Sequence, residues 1–255
     1  MSGSVERFTS RVETYAKYRP GYPAEIIDLL KRACGLTPES IVADIGSGTG
    51  KLTELFLANG NVVFGVEPNG SMREVAERIF NDQPNFRSVD GSAESTTLPD
   101  SNVDVITAGQ AFHWFDAAKT RDEWVRILKP GGWAALIWNE RELETTPFLQ
   151  DYEEMMLEFG TDYKEVRHEN TEPLIESFFA PDKFQLRSFP NGQVFDFDGL
   201  HGRVRSSSYT PEPDHPKFDP MMHRLKTIFD KHEKNGYLNF DYETKVFYGH
   251  LSPTS

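Results

Sequence analysis

The sequence predicts an α/β protein with a doubly wound, mostly parallel sheet, helices on both faces, and cap segments at both ends. Three observations predict it. Short apolar runs end in glycine, helical stripes lie between them, and the alternation holds to about Asn139 before it breaks.

Taken in order, Ala24 to Ala33 sets Ile26, Ile27, Leu29 and Leu30 on one helical stripe after Pro23. Ile41 to Ile45 is an apolar run ending in glycines, the pattern of a buried parallel strand. Gly50 to Asn59 carries Leu52, Leu55 and Phe56 at helical spacing and stops at Asn59-Gly60. A strand over Val62 to Val66 and a helix over Ser71 to Phe80 follow. Arg87 to Val89 and Val103 to Thr107 are the next strands, and a helix runs from Ala118 to Leu128. Pro130-Gly131-Gly132 predicts a turn before a strand over Trp133 to Trp138. Beyond it, Arg141 to Asp182 reads as helices with loops. Phe184 to Phe195 reads as a hairpin around Asn191-Gly192, Leu225 to Lys231 as helix, and Tyr237 to Leu251 as a last strand. The chain thus divides into N-terminal cap helices over 1–35, a core over 36–140, and a cap insertion with the final strands over 141–255, one structural domain overall.

Composition narrows the function. A chain of 255 residues with 38% hydrophobic residues has enough material for a sizeable core. The single cysteine, Cys34, forms no internal disulfide, and no Cys/His cluster is spaced for zinc, so a reducing cytoplasm is the expected compartment. Met1 to Arg11 is polar, unlike a signal peptide, and no apolar run reaches membrane-spanning length. A net charge of −13 repels nucleic acid and anionic membrane, leaving a small molecule as the expected partner of a monomer or homodimer.

The most informative segment is Val42-Ala43-Asp44-Ile45-Gly46-Ser47-Gly48-Thr49-Gly50, a strand running into a glycine loop and then a helix. Such a loop lets a ligand lie against bare backbone outside the carboxyl end of a strand. A dinucleotide fingerprint would have glycine where this chain has Lys51. Glu67 ends the next strand, where a carboxylate accepts from both hydroxyls of a ribose. Asp44 separates a dinucleotide from other ribose-bearing ligands. A carboxylate there opposes a pyrophosphate but suits a ligand with ammonium and sulfonium charge.

Asp44-x-Gly46-x-Gly48-x-Gly50 with Glu67 resembles the first two motifs of class I S-adenosylmethionine-dependent methyltransferases, of the methyltransferase type 11 group, which implies a Rossmann-like, doubly wound, mostly parallel seven-stranded sheet. Asp90-Gly91-Ser92-Ala93-Glu94 is similar to that family's adenine-edge loop, although Ser92 stands where the family often has aspartate. Leu128-Lys129-Pro130-Gly131-Gly132 resembles the turn before its fifth strand. The resemblance covers about residues 36 to 140. It implies S-adenosylmethionine as methyl donor, held by Asp44, Gly46, Ser47, Gly48, Gly50, Glu67, Pro68, Ala93, Glu94 and Gln110, and no metal.

Phe8, Tyr15 and Tyr18-Arg19-Pro20-Gly21-Tyr22-Pro23, with Ala111-Phe112-His113-Trp114-Phe115-Asp116, are similar to a subgroup that includes trans-aconitate methyltransferases. That likeness implies an N-terminal segment folded over donor and acceptor, with Tyr15, Tyr18 and Arg19 lining the region. His113 is the candidate catalytic residue: a base, a hydrogen-bond donor to an acceptor carboxylate, or a structural histidine. Trp114, Trp138 and Tyr209 are further candidate acceptor contacts, set against packing roles. Arg203 and Arg205 read either as a carboxylate clamp or, in preference, as a solvated helix face. The leading expectation is methyl transfer to a small molecule, a carboxylate-bearing metabolite among the options. A nicotinamide-dependent oxidoreductase and a non-catalytic donor-binding protein are the alternatives.

Overall fold

The computed structural model describes residues 12–163 and 171–253, and within these the side chains of residues 14, 15, 171 and 172 lie outside the description. The predicted alternation is present. Helices α1 (Val12–Tyr18) and α2 (Glu25–Cys34) precede strand β1 (Ile41–Ile45). Then come α3 (Thr53–Ala58), β2 (Val62–Val66), α4 (Gly70–Ile79), β3 (Phe86–Val89) and β4 (Val103–Gly109). A 3-10 turn (Phe112–Trp114) leads to α5 (Ala117–Ile127) and β5 (Leu128–Arg141). The chain continues through α6 (Pro147–Phe159), α7 (Thr171–Phe179), β6 (Phe184–Phe195), α8 (Phe197–Arg205), α9 (Phe218–His232) and β7 (Leu238–Gly249).

The strands form one seven-stranded sheet in the order β3-β2-β1-β4-β5-β7-β6. The first five are parallel, whereas β7 is antiparallel to both β5 and β6. Strand alternation gives each face its core. Ala43, Ile45, Ile106, Leu136 and Trp138 pack with Trp124 and Ile127 of α5 and Phe178 and Phe179 of α7. Val42, Val63, Val105 and Ile137 pack with Ile26 and Leu30 of α2 and Phe56 of α3. A third cluster, the cap, joins α6, α8 and α9 to the end of β6 and the start of β7 through Phe148, Tyr152, Leu225, Phe195 and Phe240.

Two sequence expectations change here. Phe184 to Phe195 is one unbroken strand rather than a hairpin: Asn191 and Gly192 pair with Tyr242 and Asp241 of β7. Both residues stay in register with the long partner strand and the Gly192 N–H donates to Asn191 Oδ1 at 2.8 Å, so the Asn-Gly pair has no turn to make. Pro130-Gly131-Gly132 is a bulge inside β5 rather than a separate turn. Val103 opposes Leu128 while Val105 opposes Trp133, and Gly131 takes a left-handed φ of 79° to absorb the extra residues.

Candidate functional site

The crossovers diverge between β1 and β4, and the crevice of a doubly wound sheet opens at such a point. Asp44 and Thr107 are register partners on these two strands. Gly46 then turns the chain at φ 68°, where a side chain would meet the Ala111 Cβ at 2.7 Å. Gly50 turns again at φ 89° with the Phe80 ring packed against its bare Cα. Only glycine fits both positions.

Asp44 is buried, with 1% exposure. Its carboxylate accepts from Thr53 Oγ1 at 2.7 Å and Thr107 Oγ1 at 3.4 Å, and among the described residues no cation pairs with it. Burial pushes its pKa up to about 7, opposed by those hydroxyls and assisted by nearby Glu67. Glu67 is also buried, and burial raises its pKa too. Its oxygens accept from the backbone N–H groups of Gly48 at 3.0 Å and Asn69 at 2.9 Å. A carboxylate has about four acceptor sites, so two stay available for ligand hydroxyls. Thr49 adds a buried hydroxyl with no hydrogen-bond partner among the described residues.

Asp44, Gly46, Ser47 and Gly48 line a cavity of about 30 Å³, together with Thr49 and Tyr22. The Tyr22 hydroxyl lies 2.5 Å from where a side chain on Gly109 would begin, so the N-terminal strap, residues 18–24, presses on the end of β4. Two buried carboxylates and an unpartnered hydroxyl around bare backbone fit a cationic, hydroxyl-bearing ligand such as S-adenosylmethionine. They oppose a pyrophosphate.

The other expected donor residues are more dispersed. Pro68 is exposed beside Glu67, and Ala93 is buried in the core beneath the 90–94 loop. Glu94 accepts from the Asp116 N–H at 2.9 Å, which ties this loop to the start of α5. Gln110 has a left-handed φ of 56°, held by its N–H to Ile137 O at 2.9 Å and its side-chain amide to Asn139 O at 2.8 Å. Left-handed backbone at a non-glycine residue concentrates at functional sites.

Of the expected acceptor residues, His113 and Trp114 are half-buried in the 3-10 turn, their rings 4.6 Å apart. Trp138 is sealed in the core, edge-on to Phe112 and Phe247, because the alternation of β5 turns it with Leu136 toward α5. The Tyr18 ring packs on Gly202 of α8, and Arg19 donates to Ser206 O at 3.0 Å. Tyr209 lies in the cap against Tyr163, ring centroids 5.0 Å apart. The Tyr15 side chain and Phe8 fall outside the described residues. Arg203 and Arg205 differ: Arg205 is exposed, whereas Arg203 is buried in the cap rather than solvated.

Sequence reasoning passed over Thr49, Thr53 and Thr107, whose spacing carries no motif of its own. Arg141, Tyr152 and Glu153 likewise carry no motif, in a stretch read only as helices with loops.

The fold and the glycine-loop crevice together are those of a Rossmann-like α/β core, and part of the chain resembles a methyltransferase domain. Residues 43–136 match a methyltransferase-domain family model. An uncharacterized methyltransferase of Mycobacterium tuberculosis is 38% identical over 135 residues, 53% of each chain, so this chain spans about half the length of such curated relatives. An uncharacterized methyltransferase-like protein of Schizosaccharomyces pombe is 26% identical over 98% of this chain and 97% of its own. Among solved structures, one from Anaeromyxobacter dehalogenans described as a type II methyltransferase superposes with a TM-score of 0.67 at 18% identity. It covers 93% of this chain and 100% of that one, a likeness of fold. Among the described residues, no helix is long and apolar enough to cross a membrane.

Proposed function

We propose that the protein transfers the methyl group of S-adenosylmethionine to a small-molecule acceptor, a carboxylate-bearing metabolite being the favoured class. The supporting observation is the pair of buried carboxylates, Asp44 and Glu67, on either side of the glycine loop. When bound, S-adenosylmethionine supplies an electrophilic methyl on a sulfonium. Asp44, Gly46, Ser47, Gly48, Gly50 and Glu67 would hold it, with Pro68, Ala93, Glu94 and Gln110 around its adenosine end. The chain's own contribution is alignment and exclusion of water, which in favourable cases lowers a barrier by roughly 7–11 kcal/mol. His113 and Trp114 leave β4 at the sheet edge that carries the glycine loop, which supports a role for them beside the acceptor. The finer likeness to trans-aconitate methyltransferases rests on the 8–23 and 111–116 segments alone.

Thermal unfolding with S-adenosylmethionine, S-adenosylhomocysteine or NAD tests this reading. At a hundred times its dissociation constant a ligand adds about 2.7 kcal/mol of stability. Both adenosyl compounds should raise the midpoint and NAD should not. A shift with NAD alone would favour the oxidoreductase. Donor binding without turnover across an acceptor panel would favour a non-catalytic binder.

A further inference from the structure

The cap is an apolar cluster that holds two guanidinium groups. Arg203 is 5% exposed. Its Nε donates to the Tyr242 hydroxyl and its Nη1 to Ser207 Oγ, both at 2.9 Å. Its Cζ lies 5.5 Å from the Phe240 ring centroid, and among the described residues no carboxylate touches it. Arg141, from the end of β5, has a side chain 10% exposed. It pairs with Glu153, donates to the Tyr163 hydroxyl at 2.6 Å and lies 5.0 Å over the Tyr152 ring. Its Nη1 and the Tyr152 hydroxyl are both buried without a hydrogen-bond partner among the described residues.

An arginine cannot shed its charge, and a buried charge without a counter-charge costs several kcal/mol. Glu153 pairs with Arg141, and among the described residues Arg203 has no carboxylate partner, beside two unused donors. We infer that Arg141, Arg203 and Tyr152 bind a carboxylate group of the methyl acceptor, an inference that rests on the methyl-transfer reading above. A carboxylate brings Arg203 one counter-charge and accepts from the unused donors, whereas a phosphate monoester brings nearly a second charge. The electrostatics agree. Burial pushes the Tyr209 phenol up, yet Arg203, with Arg19 and Arg141, brings it below its ordinary value.

The arginines and the donor cavity share anchors. Arg19 donates to Ser206 O, next to the Ser207 that Arg203 holds, and three residues on Tyr22 presses on Gly109 at the donor cavity. Asn139, two residues before Arg141 on β5, donates to Gly21 O at 3.0 Å. One strap and one strand end therefore join the arginines to the glycine loop.

The test is calorimetric titration of the full chain, saturated with S-adenosylhomocysteine, using benzoate, its neutral isostere benzamide, and inorganic phosphate. Benzoate should bind, and benzamide and phosphate should not. Tyr152→Phe removes an unpartnered hydroxyl, so it should fold as the wild type and bind benzoate roughly tenfold more weakly. Arg203→Met should abolish benzoate binding with an unfolding midpoint equal to the wild type's or higher, because an apolar group replaces a buried charge. Equal binding of benzoate and benzamide, or preference for phosphate, would overturn the inference. So would wild-type benzoate affinity in Tyr152→Phe, whatever Arg203→Met does to folding. Failure of S-adenosylhomocysteine itself to bind would count against the donor reading instead.

Discussion

Asp44 carries a charge at a cost in the ligand-free protein, and that cost has a sign. Its folded pKa of about 7 stands above an unfolded value near 4. In respect of this group, stability is fully retained below about pH 4, falls as pH rises from there, and levels off above about pH 7, a loss on the order of a few kcal/mol. Asp44→Asn should flatten that slope in the unfolding midpoint of the ligand-free protein between pH 4 and 7. It should also weaken S-adenosylmethionine, which needs the anion. Glu67→Ala removes the carboxylate facing the proposed ribose and should cost roughly tenfold or more in donor affinity, read by the same thermal titration. His113→Ala should slow single-turnover transfer on the order of a hundredfold if the ring moves a proton. A changed acceptor KM at constant single-turnover rate would assign it to binding. Asp44, Glu67 and the glycines were legible as a pattern because their spacing is local. Arg141 and Arg203 were not, because their burial is decided by helices and strands far away in sequence.

At the scale of elements, β1, β2, β4 and the second half of β5 were legible because buried parallel strands read as continuous apolar runs between glycines. β6 was not. It is an edge strand, largely exposed apart from its last residue, and its Pro190-Asn191-Gly192 run is turn chemistry met in an extended chain. Asn191 has other duties: its amide donates to Gly21 O and to Asn139 Oδ1, both at 3.0 Å. Those bonds bring the N-terminal strap to the carboxyl end of β5. A further anchor of that strap is Tyr18 on the bare face of Gly202. Gly202→Ala should drive the ring away and loosen α1 from α8. We expect a loss of about 1–3 kcal/mol in urea unfolding and faster backbone hydrogen exchange in α1.

At the scale of the molecule, the three clusters are joined by one strand. β7 gives Phe240 and Tyr242 to the cap, Phe247 to one face of the sheet, and Val246 and Tyr248 to the other. Cap and sheet should therefore unfold together, in a single urea transition seen alike by tryptophan fluorescence and far-ultraviolet circular dichroism. Phe240→Ala takes out a ring that packs on Phe148, Tyr152, Phe195 and Tyr242. It should lower stability by about 3–5 kcal/mol while keeping one transition. Two separate transitions would show that the cap holds itself together without the sheet.

The strand order also dictates a schedule. β6 has no place beside β5 until β7 has slotted between them, yet β6 leaves the ribosome first, with α8 and α9 still to follow. Through that interval a nascent chain carries a twelve-residue strand with neither edge paired. Pro190 and Arg187 sit among five apolar residues of that strand, and both are features that disfavour strand-to-strand joining between copies, in the half-made chain and at the free edge of the finished sheet alike.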